Sequence, residues 1–203
     1  MTMRTVLLEW AVASRPRAGE DVSGDAAVVV PAEDAFLLAV VDALGHGPEA
    51  AATAERASSA LHAFVGEDVT ATIGRCHERL RGTRGAAVSA ARYASATATL
   101  AWLGVGNVEA VLIRGGTRPR PSETLRLQAG TVGHELPGLR AASLPVRRGD
   151  VLLLATDGVD PGFADSPDTS GSPQQIVDRI LDRHPDERDD ALVLAVRLLG
   201  TDA

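Results

Sequence analysis

Four short apolar runs in this chain each abut an aspartate. Phe36–Val41 runs into Asp42, and Val151–Ala155 is followed two residues on by Asp157. Asp25 opens Ala26–Val30, and the pair Asp189 and Asp190 opens Ala191–Leu198. The runs are near-continuous rather than alternating, as expected for strands covered on both faces. All fall far short of the ~18 apolar residues of a membrane span. Two runs lead into their aspartate and two lead out of it. In an antiparallel sheet the end of one strand lies beside the start of the next, so the carboxylates can gather at one edge. Taken singly, an aspartate beside glycine is an ordinary turn or cap residue. Four such positions together favour a cluster.

The 203 residues suit a single domain over 1–203, and a hydrophobic content of 45% supports a sizeable core. Aromatics make up only 3%, so that core must be built from Ala, Val and Leu. A signal-peptide pattern is not visible, and a soluble cytoplasmic protein is expected, with no membrane partner. Cys76 is the sole cysteine, which excludes an internal disulfide and a cysteine metal cluster. The net charge of −7 speaks against nucleic acid as a partner. Every basic residue is arginine; without lysine, a P-loop, a kinase-type lysine and a Schiff base are excluded.

Further elements follow from periodicity. Thr5–Ala13 reads as a strand. Pro48 starts a helix whose stripe is Ala50, Ala54, Ala57, Leu61 and Phe64. Asp68 caps a second helix with the stripe Val69, Ile73, Cys76 and Leu80, which makes Cys76 a core residue. Ala86–Arg92, Thr97–Gly104 and Val108–Ile113 read as strands, with "GVGN" (Gly104 to Asn107) as a hairpin turn. Gly115–Ser122 reads as a loop, Leu125–Leu127 as a short strand and 160–172 as a mobile loop. Ser172, Pro173 and Gln175 form a capping-box start for a third helix. Three helices among many strands, without regular alternation, predict antiparallel sheets with helices packed outside.

A cluster of aspartates repels itself unless a counter-charge is present. Two divalent cations would supply it, and oxygen-only ligation selects Mg²⁺ or Mn²⁺ over zinc. Such a pair activates water and stabilises an in-line phosphoryl displacement. The competing motifs fail. His134-Glu135 lacks a second histidine at metalloprotease spacing, and no G-x-S-x-G elbow is present. Arg17, Arg84 and Arg92 are the arginines considered for contact with a phosphoryl group, and the sequence does not choose among them.

With these residues in view, the chain resembles the PPM-type metal-dependent serine/threonine protein phosphatases, in the SpoIIE-like branch. The matching stretches are "GEDVSGDAAVVV", "LLAVVDALGHGPEAA", "LGVGNVEAVLIR", "LPVRRGDVLLLATDGV" and "DERDDALVLAVRL", in the family's order. In layout it is similar to the short stressosome phosphatase RsbX. The resemblance implies an α+β fold, a four-layer α-β-β-α sandwich of two antiparallel sheets flanked by helices. It implies two Mn²⁺ or Mg²⁺ ions at one sandwich edge. Asp42 would bridge them and the carbonyl of Ala43 would face one. Asp157 and Asp189 would ligate, and Asp25 would complete the set directly or through water. The implied substrate is a phosphorylated STAS-domain regulator of a sigma-factor or stressosome pathway, with 160–172 as a surface that could meet it.

Three departures bear on this. Ala43 stands where the family has glycine, Leu192 where it often has threonine, and Leu44 where some relatives have a histidine. His46, four residues after Asp42, reads as a turn residue or as a proton donor. Ala43 and Leu192 leave open a non-catalytic binding module on the same fold. A phosphatase for a small phosphoester is a third reading.

Overall fold

The computed structural model describes residues 7–33, 35–116, 121–136, 138–165, 167–183 and 188–200. Thr5 and Val6 of the first predicted strand lie outside them, as do 117–120, Ser166, Pro137 and Asp186–Glu187. Among the described residues, ten strands form two five-stranded antiparallel sheets. The first has the order β1-β10-β9-β6-β7, comprising Leu8–Arg15, Ala191–Leu198, Val151–Ala155, Glu109–Ile113 and Ser122–Thr124. The second has the order β2-β3-β4-β5-β8, comprising Asp25–Pro31, Ala35–Ala43, Ala86–Ala94, Thr99–Val105 and Ala142–Pro145. Helices α1 (Gly47–Ala63) and α2 (Val69–Leu80) cover the second sheet, and α3 (Pro173–Arg183) lies on β1 and β10 of the first. The four layers are thus α, β, β and α.

Three apolar layers hold the stack. One joins α1 and α2 to the second sheet through Ala50, Ala54, Ala57, Leu61, Ile73 and Leu80. Leu38, Val40, Leu112, Leu154 and Leu194 fill the space between the sheets. Phe163, Ile176 and Val177 pack against the first sheet's outer face. With few aromatics, the three layers are built mainly from Ala, Val, Leu and Ile. The near-continuous runs follow from that layering, since β3, β9 and β10 are covered on both faces. Cys76 is fully buried in the first of these layers, and burial pushes its thiol up to about 12.

The caps are as the sequence predicts. Asp68 Oδ1 accepts from the amides of Thr70 (2.8 Å) and Ala71 (2.9 Å). Ser172 and Gln175 bond reciprocally at the start of α3.

Three expectations need correction. "GVGN" is not a hairpin turn: β5 and β6 belong to different sheets, so the turn crosses the sandwich. Gly106 has φ +92°, and a methyl there would lie 3.0 Å from the Ala87 Cα, so the crossing needs glycine. The strand predicted at Leu125–Leu127 lies at Ser122–Thr124; Leu125 follows it, donating its amide to the Ala110 carbonyl of β6 (2.9 Å) and packing its side chain between the sheets. The segment read as a plain loop at 160–172 carries structure of its own among the described residues. A 3₁₀ turn at Pro161–Ala164 buries Phe163, and Arg197 Nη2 donates to the carbonyls of Thr169 (3.1 Å) and Gly171 (2.6 Å). Among the described residues no helix is long and apolar enough to cross a membrane.

Candidate active site

Strand register builds the site. Asp25 opens β2 and Asp42 lies near the end of β3; the two are directly paired across the antiparallel ladder. In the other sheet, Asp157 follows β9 while Asp189 and Asp190 precede β10, and β9 and β10 are neighbours. One acidic pair therefore sits at the edge of each sheet, and the pairs meet across the sandwich. Asp42 feels the charges of Asp157, Asp189 and Asp190, and Asp25 those of Asp42, Asp190 and Asp157.

The electrostatics are those of an uncompensated anion cluster. Burial first, then Asp42, pushes the Asp25 carboxyl up to about 8. Burial, then Asp157 and Asp189, pushes Asp42 up to about 7. Asp157 is raised too, by burial and by Asp189. No arginine or histidine pairs with any of these aspartates among the described residues. Neutral donors relieve the strain in part. Thr156 Oγ1 donates to Asp25 Oδ2 (2.7 Å), and Asn107 Nδ2 donates to Asp157 Oδ2 (2.6 Å).

The two consecutive aspartates do different things. Asp190 is buried, and its oxygens accept from the backbone amides of Arg17 (2.8 Å) and Gly24 (2.7 Å). It ties the β1–β2 loop to the start of β10. Asp189 is exposed and stays on the cluster side, with Oδ1 2.9 Å from the amide of Asp190. Close approach shapes both turns. A methyl on Gly24 would lie 2.8 Å from the Ala50 Cβ, and one on Gly158 would collide with the backbone of Asp190.

The departures at Ala43 and Leu192 are absorbed by the core. Ala43 is buried with the α1 layer, away from the acids, and its φ is not positive. Its carbonyl would lie 3.3 Å from a methyl on Gly24, so it remains beside the loop that leads into Asp25. Leu192 is buried between the sheets, and its amide donates to Thr156 Oγ1 at 2.9 Å. Thr156 Oγ1 in turn donates to Asp25, so the Leu192 backbone is linked to the acidic set through that hydroxyl.

His46 is the residue before α1, and its Nδ1 lies 2.7 Å from Glu20 Oε1. It clamps the β1–β2 loop to the helix start. Arg84 pairs with Glu49 of α1. Arg17 reaches the site through its amide. Arg92 is paired with Leu37, five residues back along β3 from Asp42 and so roughly 16 Å away. His134 Nε2 lies 2.9 Å from the Thr83 carbonyl oxygen and holds a loop. Sequence reasoning missed Asn107, Thr156 and the separate duty of Asp190. Asn107 carries a weak signal, being a polar residue at a glycine-flanked turn. Thr156 carries one too, directly before Asp157.

Residues 32–199 match the profile of the family described as Stage II sporulation protein E (SpoIIE). The chain belongs to the SpoIIE family. None of the curated protein sequences matches it significantly. Among solved structures, it is similar to one described with the bacterial stressosome, a modular system adapted to control secondary messenger signalling. That likeness has a TM-score of 0.85 at 29% identity and covers 94% of this chain and 99% of the other. RsbX in complex with magnesium superposes with a TM-score of 0.84 at 19% identity, covering 96% and 97%. The likeness extends to the catalytic domain of the serine/threonine phosphatase PstP with two manganese ions: TM-score 0.67, 15% identity, 95% and 99% covered. This SpoIIE-family chain therefore carries the PPM-type phosphatase fold.

The donor set fits divalent cations. It is all oxygen, strongly anionic and without an internal cation. Among the described residues no group of three or more His, Cys, Asp or Glu side chains stands close enough together to hold an ion by itself. Mg²⁺ does not require one, because it keeps several waters and takes only one or two carboxylates.

Proposed function

We propose that this chain is a Mn²⁺- or Mg²⁺-dependent serine/threonine protein phosphatase. The observation that carries the proposal is the meeting of two acidic strand-end pairs across the sandwich, with carboxyls raised by burial and mutual repulsion. Asp42, Asp157 and Asp189 would hold the ions, with Asp25 and the Ala43 carbonyl completing the set. Divalent ions held there would supply positive charge, acidify water and polarise a phosphoryl group.

The remaining work falls to the chain itself. Asn107 orients Asp157, Thr156 orients Asp25, and Asp190 holds the β1–β2 loop against the site. His46 is engaged by Glu20, which favours a positioning role over proton donation. The family resemblance implies a phosphorylated STAS-domain regulator as substrate and the cytoplasm as the site of action, and the likeness to a structure described with the stressosome supports a signalling role. A non-catalytic module on the same fold is the alternative, and burial of Ala43 and Leu192 in the core leaves the acidic set itself unaltered by these departures.

The test is hydrolysis of an aryl phosphate with added Mn²⁺. Turnover should require the metal and fall on the order of a hundredfold or more in Asp42→Asn and Asp157→Asn. Turnover without metal, or unaffected by both changes, would falsify the catalytic reading. Faster hydrolysis of small metabolites than of a phosphorylated STAS protein would overturn the substrate assignment.

A further inference from the structure

Beside Asp157 lies a groove of about 320 Å³, at the lower end of ligand-sized pockets. Leu127, Val159 and Pro161 form apolar walls, Asn107 lies at the rim, and Glu109 contributes a carboxylate. The sheet and the 3₁₀ turn create it together. Glu109 lies on the outer face of β6, on the side of Val111 and Ile113, whose layer also contains Val159 and Phe163. Its side chain is half-buried and has neither a hydrogen-bond nor an ion-pair partner among the described residues. Burial raises its pKa, and Asp165 nearby adds to the effect. No basic residue lines the groove.

We propose that this groove receives a basic side chain of the phosphoprotein substrate, from a residue flanking the phosphorylated serine or threonine. The inference rests on the phosphatase reading and adds substrate selection to it. A lysine or arginine would lay its methylene stem along Leu127, Val159 and Pro161 and place its charge at Glu109. A half-buried carboxylate without a partner is stabilised by such a cation and repels an acidic neighbour. Because the groove is lined by Asp157 itself, the flanking residue enters while the phosphoryl group occupies the acidic site.

The experiment uses the full chain at saturating Mn²⁺ with phosphoserine peptides that differ only in flanking lysine, alanine or glutamate. The readout is the ratio of kcat/KM between peptides, in which any general loss of activity cancels. The native chain should prefer the lysine over the alanine peptide by about two- to fivefold. Glu109→Gln should abolish most of that preference, and Glu109→Lys should turn it toward the glutamate peptide. Fluorescence anisotropy with labelled peptides gives the same ratios as affinities, so absence of turnover sinks the catalytic reading and still tests the groove. Equal handling of the three peptides by the native chain overturns the proposal, as does a lysine preference that survives Glu109→Gln. A groove filled by a further metal ion would give the first of those results.

Discussion

Gly158→Ala tests whether close approach of two turns assembles the site. A methyl on this glycine would lie inside contact distance of the Asp190 carbonyl oxygen, 2.8 Å from that carbonyl's carbon and 3.2 Å from the Ala191 Cα. Carbon atoms pack at about 3.5–4.0 Å, so one turn must retreat by roughly 1 Å. The obstruction is backbone, and a rotamer change cannot relieve it. Overpacking of this kind costs about 1–3 kcal/mol, and the high end is expected here. The retreat separates Asp157 from Asp189, which come from the two turns. A misplacement of ~1 Å in catalytic groups costs on the order of a hundredfold in rate. The assay pairs thermal unfolding of the chelated protein with Mn²⁺-dependent aryl phosphate hydrolysis. Gly158→Ala should lower Tm by several degrees and the rate far more than a loss of folded protein explains. Rate and Tm both at native levels would refute the reasoning.

The remaining predictions address the acids and the helices. With metal chelated, Asp25 and Asp42 bind protons in the folded state that the unfolded chain has already released, because their pKa values rise from 3.8 to about 8 and about 7. Stability should therefore fall as pH rises from about 4 to 8, by up to about 1.4 kcal/mol per pH unit per carboxyl, and Asp25→Asn should flatten a denaturant-measured slope. Neighbouring aspartates should behave oppositely. Asp190→Ala strands two amides and should cost about 2–4 kcal/mol in urea unfolding, whereas Asp189→Ala should leave the chelated protein as stable as before or more so. Gly74→Ala, in α2 with open space around the added methyl, should stabilise by about 0.5–1 kcal/mol in the same assay.

How legible each part was follows from where its information lies. The runs β3, β9 and β10 are written as continuous apolar stretches because both faces are covered, and their layering could be read from that alone. Helix starts were equally plain, since Asp68 and the Ser172–Gln175 pair act within one turn of chain. The β5–β6 turn was misread because glycine and asparagine mark a reversal without saying which sheet receives the next strand. Partners in space, and not the local dipeptide, decide that Gly106 crosses the sandwich. The 160–172 segment failed for a similar reason. Its Asp, Ser, Pro and Gly composition is that of a plain loop, and the contacts that tie it down, Phe163 under the sheet and Arg197 on the Thr169 and Gly171 carbonyls, come from residues far apart in the chain. At the site, an aspartate beside a strand is visible in sequence, whereas which of two consecutive aspartates is buried depends on the distant amides of Arg17 and Gly24.

That division between Asp189 and Asp190 explains how the fold sustains an arrangement its own electrostatics oppose. Mutual repulsion drives Asp25, Asp42, Asp157 and Asp189 apart, and two of the four, Asp157 and Asp189, stand on exposed turns. What holds them is hydrogen bonding. Asp190 adds to the repulsion but is itself held by backbone amides, Asn107 relieves Asp157 and Asp42, Thr156 donates to Asp25, and the Asp25–Asp42 pairing is a ladder contact. None of these supports introduces a cation. An arginine in the same place would relieve the repulsion permanently and compete with any ion for the carboxylates. The fold thus fixes the donors and leaves their charge uncompensated, which is the condition under which divalent ions bind most strongly and their loss is felt most as pH rises.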